Sequence, residues 1–118
     1  MLLTILQYPD PFLLRPSEEV VVFDQGIKDT VRDMFETHYA QENCAGLAAP
    51  QLGVKWRITV IDFSENKNAP LCLINPKITK RSESMTYEEE GCMSVPGVVA
   101  KVKRHSLIDV EYQDEMGK

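Results

Sequence analysis

The sequence predicts an α+β fold: mostly antiparallel strands packed around one N-terminal helix. Three observations predict it. The clearest helical pattern lies between Asp24 and Tyr39. From Trp56 onward, short β-branched runs separated by polar or Gly/Pro-containing stretches read as strands. The length of 118 residues suffices for one domain with a core, here residues 1–118.

Taken in order, Tyr8-Pro9-Asp10-Pro11 makes a turn, and Phe12-Leu13-Leu14 is expected to anchor in the core. Val20-Val21-Val22-Phe23 is a short extended edge. Asp24 caps the helix. Ile27, Val31, Met34 and Phe35 follow at i, i+4, i+7 and i+8, and Tyr39 extends their face. Lys28, Asp29, Arg32, Asp33 and Glu36 cover the opposite side. His38, late in this helix, is expected to be partly exposed or to cap the C-terminus.

Residues 56–62 and 71–74 form strands, with Asn75-Pro76 as an interruption before Lys77-Ile78-Thr79. Cys72 falls in an apolar run and reads as core. Residues 84–89 lead extended into Glu90-Gly91-Cys92-Met93-Ser94-Val95-Pro96-Gly97, where Pro96-Gly97 is expected to turn the chain. Residues 98–102 and 107–112 are the last strands. The latter alternates apolar and polar, so one face is wet. Residues 113–118 read as a hairpin turn with no return strand, which predicts a C-terminally incomplete domain.

Composition narrows the function classes. The net charge of −5 argues against a nucleic-acid binder and against an anionic membrane surface. Cys44, Cys72 and Cys92 are odd in number with no CxxC spacing, so neither a disulfide framework nor a zinc knuckle is expected. Reduced thiols fit a cytoplasmic or organelle-matrix setting. Neither a signal peptide nor a membrane span is visible.

Two stretches carry chemistry. In Asn43-Cys44-Ala45-Gly46-Leu47-Ala48-Ala49-Pro50-Gln51, small residues admit another backbone or a ligand. Gln51 can both donate and accept; it either satisfies its own loop or serves a ligand. Cys92, on a short segment between strands, can be a metal thiolate, a nucleophile or core. A cysteine hydrolase needs a base, and His105 is the only candidate near in sequence.

Together these stretches resemble peptide deformylase, the metal hydrolase that removes the formyl group from new N-terminal methionines. Gly46-Leu47-Ala48-Ala49-Pro50-Gln51 matches the family's first motif, and Glu90-Gly91-Cys92-Met93-Ser94 its second, with Met93 in place of leucine. Cys44 stands where glycine often begins the first motif. The third motif, His-Glu-x-x-His on a helix, is not in this sequence, whose histidines are His38 and His105. The resemblance implies a peptide-deformylase-like fold without the C-terminal metal-binding helix. It implies Cys92 as a metal ligand, usually to Fe(II), with Zn or Ni accommodated. Gln51 and the backbone N–H of Met93 would serve the oxyanion, and Gly46 and Glu90 the substrate side of the site. N-formylmethionyl peptides are the implied partners. Lacking two ligands and the acid/base, the 118-residue chain is expected to be inactive alone; an inactive remnant or peptide-binding module is the alternative. An uncovered apolar face would favour self-association.

Overall fold

A computed structural model describes residues 2–7, 9–41, 46–62, 70–92 and 94–117. Helix α1, Gln25–Tyr39, starts where Asp24 accepts the N–H of Ile27 on its side chain. Its apolar stripe of Ile27, Val31 and Met34 is buried. That stripe meets β1, Gly46–Ala48, and β2, Ile58–Ile61. In β2, Ile58 and Val60 point inward and their neighbours are less buried, the period-two signature of a sheet with one face on the core. Leu47, Ala49, Leu52, Ile74 and Val20 complete the core.

The expected α+β architecture is observed. A four-stranded antiparallel sheet runs β1-β2-β3-β6, with β3 at Leu71–Arg81 and β6 at Ile108–Gln113. The hairpin of β4, Met85–Cys92, and β5, Val95–His105, forms a second sheet. No helix among the described residues is long and apolar enough to cross a membrane.

Several local expectations are corrected. Phe12-Leu13-Leu14 does not enter the core. Asp10 accepts the N–H of Phe12 and closes a 3₁₀ turn on the surface, leaving Leu14 87% exposed. The segment around Val20 forms no strand. It is tied down by a bridge from Glu18 to Trp56 and by Asn75, with Val20 buried and Val21 and Val22 exposed. Asn75-Pro76 does not break β3. The register slips between Ile74 and Lys77, a bulge that absorbs Asn75 at φ 52°.

Nor does the chain turn at Pro96-Gly97. Cys92 pairs with Val95, so the chain has already reversed before Pro96. The register jumps from Gly91↔Val99 to Cys92↔Val95, leaving Pro96 and Gly97 in the bulge. Proline has no N–H to give a ladder, so this is where it fits. The turn after β6 forms as expected: the N–H of Gly117 donates to the carbonyl of Asp114 at 3.0 Å, and Gly117 has φ 85°.

Candidate functional site

The first motif is shaped by close packing. A Cβ on Gly46 would sit 2.9 Å from the Val60 carbonyl oxygen, so glycine is what lets β1 lie against β2. After Ala48 the chain winds into a 3₁₀ turn, Ala49–Leu52, with proline at its start. Gln51 is in this turn, and its carboxamide reaches back to the turn's entry. Oε1 accepts the N–H of Ala48 at 3.0 Å. The Gln51 carbonyl accepts the N–H of Leu6, so the N-terminal segment braces the turn.

The second motif arrives on β4. Gln51 Nε2 lies 3.3 Å from Cys92 Sγ and 3.2 Å from Ser94 Oγ. Gln51 therefore satisfies its own loop at one end, as one of its two readings expects, and meets the second motif at the other. Cys92 is exposed, which removes the core reading for this thiol. Glu90 is clamped by Arg104 through two bonds of 2.7 Å across the hairpin. Hydrogen bonding to the guanidinium holds the Glu90 carboxyl below the usual range and raises Arg104. Met93 and Cys44 lie outside the described residues.

The two histidines and Cys92 do not form a three-ligand group among the described residues. His38 is neither exposed nor a surface cap: it is 2% exposed, with Nε2 3.1 Å from the carbonyl oxygen of Asp62. A carbonyl only accepts, so Nε2 carries the proton here. The end of β2 draws this ring inward, a tertiary contact that helical position alone does not reveal. Beside it, Tyr39 donates to Asp62 at 2.7 Å, and burial, then that contact, pushes its hydroxyl up to about 12. His105 is exposed, with Nδ1 2.7 Å from the Ser82 carbonyl oxygen. It pairs with Met85, seven residues along β4 from Cys92. At roughly 3.3 Å per residue that is about 23 Å, too far for a Cys92–His105 couple or a shared metal.

Among the described residues no three His, Cys, Asp or Glu side chains converge on a metal position. Cys92 alone does not fit a site that needs three protein ligands. What these residues do hold is a pair of motifs locked together by one amide. Two further contributors are Ser94, which the sequence marks only as the end of the second motif, and Arg104, which lies in neither motif. Neither carries a periodic or spacing signal; their roles come from strand pairing.

The protein-family model for polypeptide deformylase matches residues 2–118. Peptide deformylase 1 of Coxiella burnetii is 52% identical, over 97% of this chain and 68% of that protein. Peptide deformylase of Acidobacterium capsulatum is 44% identical, over 100% of this chain and 69% of its own length. The crystal structure of the Thermotoga maritima peptide deformylase superposes with a TM-score of 0.92 at 35% identity, covering 100% of this chain and 78% of that one. That of the Synechococcus elongatus enzyme in complex with actinonin gives 0.93 at 38%, over 98% and 64%. The chain belongs to the polypeptide deformylase family, metal-dependent hydrolases that remove the N-formyl group from newly made proteins.

Proposed function

We infer that this chain carries the formyl-recognition part of a deformylase site, within one domain acting in the cytoplasm or an organelle matrix. Its ligand is the N-formylmethionyl end of a nascent peptide. Gln51 Nε2 and the backbone N–H of Met93 donate to the formyl oxygen and to the negative charge that develops there. Donors placed in advance stabilise such charge without reorganising at the moment of reaction. Because β1 ends the four-stranded sheet, the peptide backbone runs alongside it, next to Gly46. Cys92 would supply one thiolate ligand to Fe(II), Zn or Ni and would not hold the ion by itself. Glu90, held by Arg104, keeps the second motif in register.

The observation that supports this reading is the single carboxamide joining both motifs: Gln51 is anchored on Ala48 and faces Cys92. Titrating a formyl-methionyl tripeptide into ¹⁵N-labelled protein tests it. The formylated peptide is expected to shift the Gln51 side-chain amide, and its unformylated counterpart is not. Equal responses to both, or to neither, overturn formyl recognition. Deformylation by protein purified anaerobically with Fe(II) or Ni(II) then separates hydrolase from binding module. Turnover abolished by Cys92→Ala favours the hydrolase, and binding without turnover the module.

Self-association rests on a separate observation. Leu107, Ile108, Tyr112 and Met116 are 75%, 48%, 44% and 59% exposed, on or beside β6, which ends the sheet. Such an edge invites pairing with a second copy. Sedimentation is expected to give concentration-dependent dimers, reduced by Ile108→Lys. A monodisperse monomer at high concentration would refute it.

A further inference from the structure

The second motif holds a hydroxyl that the roles above leave unused. Ser94 lies at the turn between β4 and β5, two residues past Cys92, and is only 3% exposed. Its Oγ is 3.2 Å from Gln51 Nε2. The direction of that carboxamide is not open. The N–H of Ala48 can only donate, and it lies 3.0 Å from Oε1. The NH₂ end therefore faces Ser94 Oγ and Cys92 Sγ, with one proton for each.

The two bonds are unequal. One ends on a buried oxygen. The other ends on an exposed sulfur at 3.3 Å, and sulfur is the weaker acceptor. We propose that Ser94 is a positioning residue that holds one Gln51 amide proton and leaves the sulfur-facing proton as the one given to a substrate oxygen. This rests on Gln51 acting as the formyl donor. Anchored by Ala48 at one end and Ser94 at the other, the amide has lost its freedom before substrate arrives, so its remaining proton is aimed. Without Ser94 the amide keeps one firm anchor and swings about it.

The test follows the Gln51 side-chain amide by NMR in the full chain, its signals assigned by their loss in Gln51→Glu. In the wild type the amide is expected to be as rigid as folded backbone, with an order parameter near about 0.85. One proton should exchange with water about tenfold more slowly than the other, the effect of one net hydrogen bond. In Ser94→Ala the order parameter should fall below about 0.6 and the two protons should exchange alike. Ser94→Thr, which keeps the hydroxyl, should restore the difference. A mobile amide in the wild type overturns the proposal whether or not the variants fold. So does a folded Ser94→Ala with unchanged exchange. The formylated peptide separates this from the donor reading. If it leaves Gln51 unmoved in a wild type that has the unequal protons, Gln51 fails as the donor while Ser94 still positions it. If it shifts Gln51 equally in wild type and Ser94→Ala, with equal exchange in both, the donor stands and the positioning fails.

Discussion

Asn75 grips Val20 at both ends of its backbone: Nδ2 donates to the Val20 carbonyl at 2.8 Å, and Oδ1 accepts the Val20 N–H at 2.8 Å. Nδ2 also reaches Gln113 Oε1 at 2.8 Å, so one side chain in the bulge of β3 fastens the N-terminal strap and the end of β6. Val20 is 2% exposed, so its backbone groups would find no ready replacement in water.

Asn75→Ala is therefore expected to cost about 3 kcal/mol, the scale for leaving buried polar groups unsatisfied. Asn75→Gly loses the same bonds but suits the positive φ of 52°, and should cost about 1 kcal/mol less. Urea unfolding of both variants checks the order. Equal losses would mean that the backbone geometry is not strained for alanine.

Gly46→Ala places its Cβ 2.9 Å from a backbone oxygen of β2, where neither partner gives way cheaply. A loss of about 1–3 kcal/mol is expected, together with a shift of Ala48 and Gln51. Denaturant melts and the Gln51 amide signal report both.

The cysteines should separate by reactivity. Burial, then the Glu115 and Asp114 carboxylates, pushes the Cys72 thiol up to about 12 from 9.0. The thiolate is the reactive form, so at pH 8 its population at Cys72 is roughly a thousandfold below that of an ordinary thiol. Cys92 is exposed and should alkylate well ahead of Cys72 in a peptide map. Cys92→Ala should change stability by less than about 0.5 kcal/mol, as exposed substitutions do. Since the raised Cys72 pKa favours the neutral thiol, the stability it adds is present below 9.0 and is lost as pH rises through about 12.

The Glu90–Arg104 clamp has the opposite dependence. Arg104 lowers the Glu90 pKa in the fold, so the pair contributes above the ordinary carboxylate value. The contribution disappears as pH falls through the lowered folded value. Amide exchange in β4 and β5 should accelerate over that acid range, and Glu90→Gln should remove the dependence. An identical pH profile in Glu90→Gln would rule the clamp out as its cause.

Local chemistry made much of this protein legible in its sequence. The spacing of Ile27, Val31 and Met34 determined helix α1, because one face of a helix must be apolar to bury. Asp24 set its start through a bond made within one turn. β-Branched runs marked the strands, and Gly46 through Gln51 with Glu90 through Ser94 marked the family, because those residues are read as contiguous units. Tertiary structure decided what depends on partners distant in sequence. His38 is buried because Asp62 meets it. Asn75 bends β3 without ending it because Val20 and Gln113 take its amide. The chain reverses before Pro96 because strand pairing, not the Pro-Gly pair, sets the hairpin register. The same pairing delivers Cys92 and Ser94 to Gln51 across more than forty residues of chain, a juxtaposition that no local pattern encodes.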